Sequence, residues 1–122
     1  MLLESARWLV GQVVLAVEKL TAPTPPQRSP EDQAAIDART ANLAIYQFRA
    51  CPFCVKVRQA MRRLGLNIEL RDARGDPRWE QELRQQGGKY QVPCLKIENE
   101  DGSVEWLYES KDIIDWLEAR FA

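Results

Sequence analysis

The 122-residue chain contains no histidine. That excludes Ser-His-Asp hydrolysis, Cys-His proteolysis, His-ligated zinc or haem, and histidine acid–base chemistry. Cysteine is scarce as well: Cys51, Cys54 and Cys94 are odd in number and too few for a secreted disulfide scaffold. Zinc wants about four ligands, and with only Cys94 to join the pair no metal site is expected. A net charge of −1 offers nucleic acid no global basic field, so no nucleic-acid partner is expected. Long apolar runs are missing too. The longest uncharged stretch, Trp8 to Val17, has ten residues, about half of the roughly 20 that span a bilayer. The N-terminus makes a poor secretory leader, because Glu4 offsets Arg7 and Leu20-Thr21-Ala22 is no small-x-small cleavage site. These absences lead us to expect a cytoplasmic protein. What is present is 45% apolar and 29% charged, the composition of one globular domain.

The near-zero net charge hides an asymmetry. Residues 43–75 hold 7 basic and 2 acidic side chains, whereas residues 76–122 hold 6 basic and 11 acidic. The positive third contains the paired cysteines.

Residues 1–20 read as an amphipathic helix, with Leu2, Ala6, Leu9, Val10, Val13, Ala16, Val17 and Leu20 on one stripe. Trp8 and Leu15 lie on the other side with Glu4, Arg7, Gly11, Glu18 and Lys19. The stripe is expected to be buried against the chain's own domain or in a homodimer, with weak membrane-surface contact through residues 1–20 as the remaining outlet. A proline-rich segment, Thr21 to Arg28, follows, and Ser29-Pro30 then starts a short helix to about Thr40. Residues 1–42 are therefore read as a helical extension with a proline-rich linker, and 43–122 as the domain proper.

From Leu43 the elements alternate. Strands are expected over Leu43–Phe48, Ile68–Arg71, Cys94–Ile97 and Glu105–Tyr108. Helices are expected over Pro52–Leu64, closed by Gly65, from Asp76-Pro77 to about Gln86, and from Ser110 as N-cap to Phe121. The order β-α-β-α-β-β-α implies an α/β fold with one mixed four-stranded sheet.

Cys51-Pro-Phe-Cys54 carries the chemistry. Cys51 stands where a strand gives way to a helix, whose N-terminal N–H groups and dipole stabilise a thiolate. Arg49 and Lys56 add positive charge. Cys54, one turn in, falls on the side of Val57 and Met61 and should be shielded. Cys51 is thus the expected nucleophile and Cys54 the resolving thiol. Pro93 is either an ordinary trans residue at a strand start or a cis proline in a tight turn. Ser110 reads first as a helix cap, and secondly as part of an anion site at the helix start, with Glu109 beside it to meet an ammonium group. Cys94 reads as a small buried strand residue.

Together these residues resemble the glutaredoxin and glutathione-transferase N-terminal branch of the thioredoxin superfamily. The stretch from Ile45 to Arg58 is similar to a glutaredoxin active-site entry, Gln91-Val-Pro93 to the cis-proline segment, and Tyr108-Glu-Ser110 to the γ-glutamyl site of transferase-like members. The resemblance covers about Leu43 to Phe121. It implies a thioredoxin-like (glutaredoxin) fold, glutathione as cofactor, and thiol–disulfide exchange on glutathionylated proteins or small disulfides. It also implies glutathione contacts from Arg49, Phe53, Val92, Pro93, Glu109 and Ser110. The alternative it carries is a binding protein in which two chains bridge an iron–sulfur cluster through Cys51 and glutathione. Three departures stand out: Phe48 where many glutaredoxins have lysine, Phe53 where tyrosine is usual, and Trp106 to Ser110 in place of a glycine-rich segment. For the glycine carboxylate of glutathione, Arg49, Arg74 and Lys89 are the candidates.

Overall fold

The computed structural model describes residues 2–122. It contains α1 (Leu2–Leu20), α2 (Pro30–Thr40), β1 (Leu43–Gln47), α3 (Pro52–Leu64) and β2 (Glu69–Asp72). These are followed by α4 (Pro77–Gln85), β3 (Cys94–Glu98), β4 (Val104–Tyr108) and α5 (Ser110–Phe121). The strands form one sheet in the order β2-β1-β3-β4. β1 runs parallel to β2 and antiparallel to β3, and β3 runs antiparallel to β4. This is the α/β thioredoxin-like arrangement, with a helical extension before it.

Strand periodicity divides the core between the two faces of the sheet. Leu43 and Ile45 of β1 and Leu95 and Ile97 of β3 point to the face covered by α3 and α5, where Val57, Met61, Leu64, Ile113, Leu117 and Phe121 meet them. Tyr46 and Cys94 point to the other face, with Leu83 of α4 and Ala73. The central strand β1 is buried at all five positions, as expected for a strand covered on both sides. On the α4 face one carboxylate gathers three donors: the Tyr46 hydroxyl, Arg71 Nη1 at 2.8 Å and Lys96 Nζ at 3.3 Å all meet Glu82 Oε1. Burial alone would raise the Glu82 carboxyl, but these donors outweigh it and hold it below the ordinary carboxylate range.

Local signals end the helices as read from the sequence. Ser29 Oγ accepts from the Asp32 N–H at 3.1 Å, capping α2. Gly65 closes α3 in the left-handed region at φ 68°, where a side chain would also collide with Arg28 and Pro26. Arg28 itself reaches back over this end of α3, donating to the carbonyls of Leu64 at 2.7 Å and Gly65 at 2.9 Å.

Two expectations are corrected. The stripe of α1 faces away from the protein: Leu9, Val10, Val13 and Val17 are exposed, and Leu20 is 85% exposed. The side chain of Leu2 lies outside the described residues. The opposite side docks instead, with Gly11, Val14, Leu15 and Glu18 partly covered. Two contacts choose that side. A Cβ built on Gly11 would lie 3.2 Å from the Cβ of Ala50, a close approach that a larger residue would oppose. Glu18 grips Arg58 of α3 with both carboxylate oxygens at 2.8 Å. Trp8 is exposed as read, at 63%, but Leu15 is not. The second correction concerns Ser110. It is the first residue of α5, and the capping position is taken by Glu109, whose side chain makes no capping hydrogen bond.

Candidate functional site

The end of β1 delivers the chain into a tight turn in which the Cys51 N–H donates to the Phe48 carbonyl at 3.4 Å. Cys51 then sits at the N-cap of α3, extended at φ −89°, with Pro52 in the first turn where its missing donor costs nothing. Cys51 is partly exposed, whereas Cys54 is 1% exposed. All three cysteines are free thiols. Burial pushes the Cys54 thiol up to about 12, with the adjacent Cys51 sulfur adding to the rise. A backbone hydrogen bond from Phe48 and the charge of Arg58 oppose it without cancelling it. One sulfur is accessible and the other stays protonated behind it.

Arg58 fixes the turn that carries Cys51. Beyond Glu18, its guanidinium donates to Gln47 Oε1 and to the Arg49 carbonyl, both at 2.7 Å. The sequence presented Arg58 only as one of many positive charges, and nothing in its spacing revealed that it holds three segments together.

The loop before β3 supplies the facing wall. The peptide bond between Val92 and Pro93 is cis. Composition alone favours trans, and only the resemblance pointed to this outcome. The loop is fastened from behind, where the Tyr108 hydroxyl lies 3.1 Å from the carbonyls of both Gly87 and Lys89. Gly87 must be glycine here, because a Cβ would come within 2.7 Å of both the Leu83 carbonyl and the Tyr108 hydroxyl. Beneath Pro93, Cys94 is fully buried, and burial raises its thiol to about 12.

Phe53, Gln91, Val92, Pro93, Glu109 and Ser110 line one cavity of about 270 Å³. Five of these six are residues that the resemblance implies as glutathione contacts. The sixth, Gln91, precedes Val92 in the same loop, and its Nε2 donates to Glu109 Oε1 at 3.0 Å. Glu109 is the one non-glycine residue among those described with positive φ, at 70°. Such a backbone costs of order 1–3 kcal/mol and persists where the surroundings over-determine it. It turns the chain abruptly from β4 into α5, leaving the first amides of that helix without a side-chain cap beside Ser110. Arg49 is not brought to this cavity; its side chain is exposed at the turn before Cys51.

Residues 45–122 match the family described as glutathione S-transferase, N-terminal domain. Among solved structures, a maleylacetoacetate isomerase from Anaeromyxobacter dehalogenans with bound glutathione in its active site is 28% identical, with a TM-score of 0.50. The likeness covers 66% of this chain and 38% of the isomerase, so the chain spans well under half of that protein. A wheat glutaredoxin is 20% identical with a TM-score of 0.46, covering 74% of this chain and 84% of its own. No curated protein matches the sequence significantly. The family match runs from within β1 through α5 and takes in all three cysteines, the Val92–Pro93 bond and the Glu109-Ser110 junction. On that ground the chain belongs to the glutathione S-transferase N-terminal domain family, in the thioredoxin superfamily.

Proposed function

We propose that the protein is a glutathione-dependent thiol–disulfide oxidoreductase that reduces glutathionylated proteins or small disulfides through Cys51. The observation that carries this reading is an accessible Cys51 backed by a buried Cys54, on a helix turn whose Phe53 borders the cavity. The cavity suits an extended peptide thiol. The ladder of β3 begins at Cys94, so the N–H and C=O of Val92 stand outside it and can pair with an added strand. The uncapped start of α5 and the Ser110 hydroxyl suit a carboxylate, and Glu109 suits the ammonium beside it. The glutathione in the active site of the bacterial isomerase supports the same ligand here.

In the proposed cycle the Cys51 thiolate attacks the glutathionyl sulfur of a mixed disulfide. The substrate S–S bond breaks, its thiolate leaves and takes a proton, and Cys51 holds the glutathionyl group. Free glutathione, the second substrate, then attacks that sulfur and departs as glutathione disulfide, restoring the Cys51 thiolate. Cys54 provides a second exit by closing a disulfide with Cys51, which two glutathione molecules reopen. The substrate gains two electrons, and glutathione loses two.

A deglutathionylation assay coupled to glutathione reductase and NADPH tests this. Cys51→Ser is expected to abolish turnover, because a hydroxyl neither attacks nor leaves as a thiolate does. Cys54→Ser is expected to retain substantial turnover of glutathione mixed disulfides while losing the intramolecular disulfide. Equal inactivity of the two folded variants would overturn the assignment.

A further inference from the structure

The surface around Cys51 is electrically lopsided. Arg49, Lys56 and Arg74 are all exposed, and none of their side chains makes an ion pair or hydrogen bond among the described residues. Each is placed by the site itself. Arg49 lies within the turn that leads to Cys51. The Lys56 Nζ is 5.3 Å from the ring centroid of Phe53. The Arg74 guanidinium is 4.4 Å from the ring centroid of Phe48, the residue whose carbonyl closes that turn. Of the two acids nearest to Arg74 in sequence, Asp72 spends one oxygen on the backbone N–H groups of Arg74 and Gly75 at 3.0 Å, and Asp76 is paired with Arg78 at 3.2 Å. The far side of the cavity has the opposite character. There Glu109 is exposed, Asp112 lies in the first turn of α5, and Lys111 is already paired with Asp115 at 2.8 Å.

A glutathionyl group lying along the cavity presents its ammonium to the acidic side. The protein to which it is joined must then approach from the side of Cys51 and meet the three cations. Stacking on aromatic rings preorganises two of them without neutralising their charge. We propose that Arg49, Lys56 and Arg74 form a docking field for acidic segments, so that preferred protein substrates carry Asp or Glu beside the glutathionylated cysteine. This choice of substrate class rests on the oxidoreductase reading above. Fields of this kind act mainly through encounter rate and orientation, so the effect belongs in kcat/KM and fades with salt.

The test uses two glutathionylated peptides of equal length, one with Glu and Asp flanking the cysteine and one with Lys. Both are measured for turnover by the wild-type protein and, by fluorescence anisotropy, for binding to Cys51→Ser. The acidic peptide is expected to be favoured about tenfold in each measurement at low ionic strength, with the ratio approaching one near ~0.5 M salt. Arg74→Glu should shrink or invert the ratio, whereas Arg120→Glu, the same charge change at the C-terminal end of α5, should leave it unaltered. Turnover of both peptides at equal efficiency would overturn the docking field and leave the oxidoreductase reading standing. So would an equal response to Arg74→Glu and Arg120→Glu. Selective binding of the acidic peptide without turnover would support the docking field and overturn the redox reading instead.

Discussion

Brief treatment of the fully reduced protein with iodoacetamide at pH 8 is expected to alkylate Cys51 and spare Cys54 and Cys94. The magnitude follows from burial. With thiols raised to about 12, Cys54 and Cys94 sit four decades above the working pH, so about one molecule in 10⁴ is thiolate at either position. Free cysteine in water, at about 8.5, is roughly one quarter thiolate at the same pH. Relative to free cysteine, burial therefore suppresses the thiolate of Cys54 and Cys94 on the order of 10³-fold. Part of it is returned, because a more basic thiolate is a better nucleophile; with a Brønsted slope of about 0.4–0.5 the compensation is roughly 25- to 50-fold. A chemical preference of about fifty-fold or more remains against the two buried thiols, before access is counted. Access works the same way, since Cys54 is 1% and Cys94 0% exposed. Trypsin yields one peptide from Ala50 to Lys56 containing both Cys51 and Cys54, and another from Tyr90 to Lys96 containing Cys94. Fragment-ion mass spectrometry of the first peptide assigns the label. Labelling of Cys54 at a rate similar to Cys51 in the folded protein would refute the division into an accessible and a buried sulfur.

Four further outcomes are expected. Cys54, Cys94 and Tyr108 all have protons held up to about 12, chiefly by burial, so the folded chain keeps protons that the unfolded chain releases near 9 to 10. Their contribution to stability is complete below about pH 8.5 and is lost as pH rises toward 12; a urea midpoint that stays flat from pH 8 to 11 would contradict this. Glu109→Gly should relieve the positive-φ backbone and raise thermal stability by up to about 1 kcal/mol while weakening glutathione use. Ser110→Ala should weaken glutathione use with a stability change below about 0.5 kcal/mol, since Ser110 is not the cap; a loss near the ~1 kcal/mol of a true cap, with glutathione dependence intact, would return it to a purely structural role. Glu18→Gln should cost about 1 kcal/mol by replacing a paired, partly buried carboxylate, and should increase proteolysis of α1 in a limited-digestion assay.

Much of this architecture is legible in the sequence. The apolar runs and helical stripes after Leu43 place every strand and helix close to its observed bounds, because strand period, helix period and the stop at Gly65 all act locally. The cavity was readable for a different reason: Phe53, Val92, Pro93, Glu109 and Ser110 belong to three separated motifs, and the thioredoxin-like topology brings their ends together. The orientation of α1 was hidden. Periodicity identifies a stripe but not the side that docks, and here the ion pair with Arg58 and the closeness allowed by Gly11 outweigh the apolar face. Ser110 misled for a related reason. A serine at a helix start reads as a cap unless the preceding backbone is known, and Glu109 at φ 70° moves the capping position back by one residue.

Arg58 makes removal of the N-terminal extension less simple than its place in the sequence implies. One guanidinium answers to a carboxylate on α1, an amide at the end of β1 and a carbonyl in the turn that presents Cys51. Cutting away residues 1–20 deletes the first of these and leaves a positive charge still hydrogen-bonded to the Arg49 carbonyl of the reactive turn, free to seek another anion. The shortened protein would then differ from its parent in the tautness of that turn as well as in lacking a helix. A lowered reaction rate after such a cut would report on the bracing of the cysteine, and only a matching rate in full-length Glu18→Gln would tell bracing apart from a direct part played by the helix.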